Sequence, residues 1–228
     1  MHIPDGFLSG EAAVVGAAIA APGVALCLRK AREEARERDL PVAGLAAAFF
    51  LVGDAPLFPV GAGTQGHLLG GTLAVLLLGP WLGALTVTVV TVIQAFVLGD
   101  GGITALGLGV VNLALVPALV GYPLVLLLRR FVPLPAAGAV AAWVCVVLAA
   151  CLFTTELVLG AAVDLDETRL ASTTIGTYAV VGVVEGAITA LIVRGLLGVR
   201  PDLLRVARWQ PQAREARRRV AEPAEGAA

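Results

Sequence analysis

APLFPVGAGTQGHLLGGTLAVLLLGPWLGALTVTVVTVIQAFVLG, residues 55–99, runs for 45 positions without an Asp, Glu, Lys or Arg. One membrane crossing as a helix takes about 20 apolar residues, so a run of this length must fold back on itself. Gly79-Pro80 is the natural break, because proline carries no N–H and its ring ends the preceding helix. Two helices in one apolar run make the chain polytopic. The charge-free stretches on either side, residues 12–28, 40–53, 101–128, 131–155 and 170–184, extend the same pattern. The expected fold is an all-α membrane protein, a seven-transmembrane-helix bundle with helices at 10–29, 42–58, 65–79, 81–98, 106–128, 136–159 and 171–197.

Composition agrees with a membrane domain and excludes other classes. Apolar residues make up 58% of the chain and charged residues 14%, with mean hydropathy +0.91, well beyond a water-soluble domain. Sixteen Lys+Arg against seventeen Asp+Glu leave a net charge of -1, and the basic residues cluster in a few connections, so no nucleic acid is expected as a partner. Aromatic residues at 5% are too few for the girdles of an outer-membrane barrel. Cys27, Cys145 and Cys151 lie within apolar runs and read as small buried hydrophobes. The start, Met1-His2-Ile3-Pro4-Asp5-Gly6, has no basic segment of the kind that opens a secretory signal, so Met1 is expected to stay.

Sidedness follows from Lys and Arg. The connection from Arg29 to Arg38 holds five basic residues and is expected in the cytoplasm. Counting seven crossings from there puts the N-terminus outside and the C-terminus inside. Arg129-Arg130 and the tail beyond Arg194 then fall on the inner side, and the acidic connections near Asp100 and Asp164-Asp166-Glu167 on the outer. Residues 1–204 form the membrane domain on this reading, and 205–228 a charged, flexible cytoplasmic tail.

His2 and His67 are the two histidines of the chain, and this topology turns both outward. An α-amine at Met1, the backbone nitrogen of His2 and its imidazole can close adjacent chelate rings on one metal ion. His67 can add a fourth nitrogen. A square-planar nitrogen set suits Ni(II) or Cu(II), and imidazole also suits Co(II). Asp5, Asp54 and Thr64 are candidates to orient the imidazoles or offset the cation's charge. A plainer reading stands beside each: a solvated chain end for His2, a loop cap for His67, a turn residue for Asp5, an interhelical hydrogen bond for Asp54. Glu185 reads as a buried structural contact, and Gln94 and Asn112 as interhelical partners. The small residues Ala13, Ala17 and Ala21, with Gly16 and Ala20, give the first helix a face that allows close approach, either within the bundle or to another subunit. No phosphate-binding G-x-x-x-x-G-K-[ST] occurs, so an ATP-driven step would need another chain. Neither H-E-x-x-H nor G-x-S-x-G occurs, which disfavours an enzyme.

Several blocks carry a resemblance: Met1-His2-Ile3-Pro4-Asp5-Gly6-Phe7-Leu8, Phe58-Pro59-Val60, Gly63-Thr64-Gln65-Gly66-His67-Leu68-Leu69-Gly70-Gly71, Leu78-Gly79-Pro80-Trp81, residues 99–107 and residues 185–190. From residue 1 to about 204 the chain resembles the CbiM/NikM family, the substrate-specific membrane (S) components of energy-coupling factor transporters for cobalt and nickel. The resemblance implies a site made by the amine of Met1, His2 and His67, with Co²⁺ or Ni²⁺ as transported substrate and no permanent cofactor. It implies as partners a transmembrane coupling (T) protein, a pair of ABC ATPases and a small accessory membrane subunit. The location it implies is the cell membrane, and the uptake serves cobalamin biosynthesis. Asp54 and Leu57 stand where the family usually has Gln and Asn, and Tyr178 where it often has His. The alternatives are a stand-alone membrane carrier or channel for another small solute, and an intramembrane enzyme using Asp54 and His67.

Overall fold

The computed structural model describes residues 2–61 and 64–209. It is mostly helical. In chain order it has α1 (Gly10–Glu34), α2 (Asp39–Gly53), β1 (Phe58–Gly61), β2 (Thr64–Gly66), α3 (Gly71–Leu78), α4 (Pro80–Leu98), α5 (Leu106–Leu128), α6 (Leu134–Gly160) and α7 (Glu167–Val199). Seven helices are present among the described residues, and five of them, α1, α4, α5, α6 and α7, are long and apolar enough to cross a membrane.

Three expected helices differ from their sequence reading: the first runs five residues past 29 to Glu34, into the basic segment expected as a connection. The second stops at Gly53 instead of 58, because Asp54 caps it and Pro56 follows. The third, expected over 65–79, is eight residues long and begins only at Gly71. The chain before it folds into a two-stranded antiparallel hairpin, Phe58 opposite Gly66 and Gly61 opposite Thr64, so the fold is not purely α. Glycine and proline density explains the second and third outcomes: Pro56, Pro59, Gly61, Gly63, Gly66, Gly70 and Gly71 leave no uninterrupted stretch for a longer helix.

What α3 lacks in length it recovers in burial. Seven of its eight residues are buried, with Ala74, Val75 and Leu76 sealed completely. A helix that starts inside the bundle leaves its first N–H groups without helical partners, which is costly away from water. Glu185, midway along α7, holds the two residues just before that start: its two carboxylate oxygens accept from Leu69 N–H at 2.8 Å and Gly70 N–H at 2.9 Å. A carboxylate at a helix N-terminus is also favoured by the helix dipole.

Elsewhere close packing rests on small residues, as membrane interfaces require in the absence of a hydrophobic drive. α6 lies along α7, and a Cβ on Gly186 would meet Ala139 O at 2.9 Å. α1 meets α5 where a Cβ on Gly107 would lie 2.5 Å from the Ala17 nitrogen. The small-residue face of α1 is thus partly used inside the bundle, with Gly16 and Ala20 buried while Ala17 and Ala21 stay exposed. Val14, Val15 and Ile19 on the same helix are more than half exposed, as lipid-facing residues would be.

Beyond α7 the chain turns back in two short 3₁₀ turns, Pro201–Leu203 and Arg205–Trp209. Leu204 and Val206 are fully buried and Ala207 is buried, so the start of the segment assigned to a flexible tail from sequence, residues 205–207, packs against the bundle. Residues 210–228 lie outside the described residues.

Candidate metal site

The N-terminal segment, the loop before α3 and the connection after α4 converge at one end of the bundle. His2 reaches this end because Ile3 and Phe7 are tied to neighbouring loops: Gly102 N–H donates to Ile3 O at 2.8 Å, and Ala162 N–H to Phe7 O at 2.9 Å. His67 is delivered by the β1–β2 hairpin and the irregular residues 67–70. Both imidazoles are buried, His67 to 1% exposure and His2 to 8%.

Nε2 of His2 and Nε2 of His67 are 2.9 Å apart, with the rings stacked at 4.8 Å between centroids. As free imidazoles they share one proton in an N–H···N bond. The same spacing suits two neighbouring ligands on a square plane, since metal–imidazole bonds of about 2.0 Å at right angles put their nitrogens about 2.8 Å apart. Asp100 completes a cluster: its ligand oxygen and the two histidine nitrogens all lie within 4.8 Å of one another. Its Oδ2 is 3.9 Å from His2 Nε2.

Behind the rings stands a polar support. Asp54 Oδ1 lies 3.7 Å from His67 Nδ1, and its Oδ2 accepts from Gln94 Nε2 at 3.2 Å. His67 Nδ1 also contacts Leu68 O. An imidazole bound to metal through Nε2 needs such an orienting partner at Nδ1. Burial holds the His2 imidazole well below its ordinary pKa of 6.5, so it is neutral near pH 7, as a ligand must be.

Asp5 has a different place from the one expected. Its carboxylate accepts from Ile103 N–H at 3.1 Å, Thr104 N–H at 3.0 Å and Thr104 Oγ1 at 2.7 Å. The backbone and hydroxyl bonds to Thr104 hold its pKa below the usual carboxylate value. Asp5 therefore helps to anchor the Asp100–Thr104 loop, together with the Asp100 N–H bond to Gln94 O and the Gly102 N–H bond to Ile3 O. Met1 and the Thr64 side chain lie outside the described residues.

Asp100 and Gln94 were not singled out as site residues, and Asp100 had a signal. It sits in Gly99-Asp100-Gly101-Gly102, where Gly99 (φ 66°) and Gly101 (φ 96°) take backbone conformations that side chains disfavour. A Cβ on Gly101 would lie 2.7 Å from His2 Nδ1, so this glycine lets the loop close over the imidazole. Tyr178 is fully buried on α7, so the departure from the family's His places a phenol in the interior.

Comparison with known proteins agrees with this architecture. A family model described as the cobalt uptake substrate-specific transmembrane region, CbiM, matches residues 2–203. The chain belongs to the CbiM family. The cobalt transport protein CbiM of Geobacter sulfurreducens is 37% identical over 216 residues, covering 90% of this chain and 61% of that one. The fused nickel transport protein NikMN of Rhodobacter capsulatus is 39% identical over 120 residues, 53% of this chain and 35% of that protein. Among solved structures, a transition metal transporter superposes with a TM-score of 0.84 at 27% identity, over 97% of this chain and 100% of its own. This is therefore a multi-pass cell-membrane protein of a metal-transport family.

Proposed function

We propose that the chain is the substrate-binding membrane subunit of an ATP-driven importer of Co²⁺ or Ni²⁺. The observation that carries this is the buried Nε2 pair of His2 and His67, 2.9 Å apart beside Asp100 at the mouth of the bundle. The ion would be held by the α-amine of Met1, the backbone nitrogen of His2 with Nδ1 of its imidazole, the ring nitrogen that closes a six-membered chelate, and Nε2 of His67, so the His2 ring would turn from the position in which its own Nε2 faces His67. Asp54 would orient His67, and Asp5 would help to fix the loop that brings up Asp100. Thr64 would support the same loop as His67. Deprotonating the His2 amide and carrying Asp100 nearby offsets the charge of the dication, which a buried site could not otherwise tolerate.

The importer reading calls for separate chains to hydrolyse ATP: a pair of ABC ATPases working through a transmembrane coupling protein, with a small accessory membrane subunit. This chain would supply recognition and part of the path, without chemistry of its own and without a permanent cofactor. The site end would face outward and the Arg29–Arg38 connection the cytoplasm, with α2 and the hairpin-plus-α3 segment completing seven crossings. Cysteine labelling at positions 32 and 36 from one side of the membrane and at position 66 from the other is the expected pattern; labelling from a common side overturns this count.

The function is tested by titrating the purified chain calorimetrically with Co²⁺ and with Ni²⁺ in three forms: native start, one residue added before Met1, and N-acetylated. Extension converts the amine to an amide and moves His2 to third position. Affinity should fall at least about 100-fold in both altered forms, more than the loss typical of a supporting residue. Equal affinity in all three removes the amine and the His2 chelate from the reading and leaves the carrier of another solute in its place.

A further inference from the structure

Below the histidine pair is a second polar spot that the metal site does not use. Asn112 lies six residues into α5, about 9 Å below the helix start. Its Nδ2 donates to Glu156 Oε2 of α6 at 2.8 Å. Asn112 is 3% exposed, and its Oδ1 has no hydrogen-bond partner among the described residues. Unpaired buried oxygens are costly and rarely kept without a use.

Both side chains line one small cavity together with His2, Ile3, Thr91 and Phe153. Its free volume of about 10 Å³ suits a single water-sized guest. Asn112 also sits where α5 widens into a π turn, Val111–Leu115. Such turns break the regular backbone ladder and recur at functional sites.

We infer that this cavity is a second, oxygen-lined site for a divalent cation, one step inward from the histidine pair, with Glu156 and the Asn112 Oδ1 as its ligands. The inference rests on the transport reading above. Carboxylate and amide oxygens bind late first-row ions less tightly than nitrogen does. An ion passed from His2 to Glu156 therefore moves from a capture site to one it can leave. The carboxylate offsets charge in the bundle interior, where a lone dication would otherwise be unstable. The guest enters stripped of water, since the cavity holds one small particle and not a hydrated ion.

The test is calorimetric titration of the full chain in detergent with Co²⁺. The wild type should show one tight site and a second at least about tenfold weaker. Glu156→Gln should remove the weak site and leave the tight one within about twofold, while His67→Ala should remove the tight one. A wild-type titration with a single site overturns the inference. So does a Glu156→Gln variant that keeps the weak site, or a folded one that loses both, since the carboxylate would then serve the histidines. Survival of the tight site in His67→Ala sinks the proposed function instead, so the two failures are distinct. Should Glu156→Gln not fold, anomalous scattering from wild-type crystals grown in excess Co²⁺ decides: density between Asn112 and Glu156 is expected, and its absence there overturns the site.

Discussion

The two ends of the bundle are both polar, yet they are polar in opposite ways. At one end His2, His67, Asp54 and Asp100 are buried and converge, with ligand atoms a few ångströms apart. At the other, Arg205 reaches Glu34 Oε2 at 3.0 Å and Asp39 Oδ2 at 3.5 Å, and Arg129 donates to Val206 O at 2.9 Å. Glu34 in turn accepts from Trp81 Nε1 at 3.1 Å. The second cluster pairs opposite charges locally and is part exposed, so it ties helix ends together. The first brings lone pairs together with a carboxylate beside them, and neither the His2–Asp100 nor the His67–Asp54 pair includes a Lys or Arg, which is an arrangement for receiving a cation. Polarity at a bundle end thus says little by itself. What separates a site from a clasp is whether its donors are already matched.

The largest expected effect tests that contrast directly. His67→Ala removes one nitrogen from the buried pair while Glu185 still holds Leu69 and Gly70 N–H, so α3 should keep its start. Metal affinity should drop at least about 100-fold in a protein with an unchanged helical spectrum, measured by calorimetry and circular dichroism. Wild-type affinity in the folded variant would erase the distinction between the two ends.

Next in size is Gly101→Ala. The residue has φ 96°, and an added Cβ would meet His2 Nδ1 at 2.7 Å and Cγ at 2.9 Å. Backbone strain of about 1–3 kcal/mol adds to displacement of the ring. Affinity should fall about 10- to 100-fold with only a small loss of thermal stability. Gly99→Ala is the control: it shares the strain (φ 66°), but its Cβ meets open space, so its effect on affinity should be clearly smaller.

How much of this contrast was open to the sequence depends on range. Gly79-Pro80 fixed the break between α3 and α4 because proline acts on its own neighbours, and the helices from 80 onward fell within a few residues of their expected limits. The third helix was drawn too long because an absence of Asp, Glu, Lys and Arg says nothing of backbone conformation: residues 65–70 carry none of these, yet Gly66 and Gly70 interrupt any helix there. His2 and His67 could be paired from a shared side together with their settings, an N-terminal chelate and a glycine-rich loop. Asp100 shared that side and a glycine-flanked turn, but its closeness to His2 arises from the positive-φ backbone of Gly99 and Gly101, and Gln94 meets Asp54 only through a contact across forty residues. Glu185 was read as a structural contact, and its two bonds at the start of α3 are of that kind. Asp5 illustrates the limit from the other direction. Its closeness to His2 in sequence suggested an imidazole partner, whereas its lone pairs are taken by Ile103 and Thr104.

Proton competition sharpens the comparison further. Burial places the folded pKa of His2 well below 6.5, so between those two values the unfolded chain binds a proton that the folded chain refuses. Stability of the metal-free protein should therefore be level with respect to this group above pH 6.5 and fall as the pH drops below it. The folding equilibrium should lose at most about tenfold per pH unit for this one proton. A His2→Gln variant should lose that slope, read as melting temperature against pH from 7.5 to 5.5. Metal affinity should follow a different curve on the proposed chelate: an α-amine titrates at about 7.7–8.0 in model peptides, so proton competition for it should lower affinity from pH 8 downward, before His2 takes part.

The smallest effect is expected at the opposite end. Arg205→Ala removes the links to Glu34 and Asp39; the Glu34 pair is partly exposed and contributes only about 0–1 kcal/mol, and Asp39, which is buried, keeps the Arg36 N–H as a partner. The aliphatic part of Arg205 also covers Gly79, where its Cδ would meet an added Cβ at 3.0 Å, so some packing goes with the charge. Leu204 and Val206 remain buried on either side and should keep the 3₁₀ turns docked. The melting temperature should fall by a few degrees, and affinity for Co²⁺ or Ni²⁺ should stay within about twofold of wild type. The physical reason is length: α6 alone has 27 residues, so the two ends lie about 40 Å apart, several Debye lengths at physiological salt. A tenfold change in affinity on removing Arg205 would mean that the two ends are coupled through the helices, and the separation between clasp and site would no longer hold.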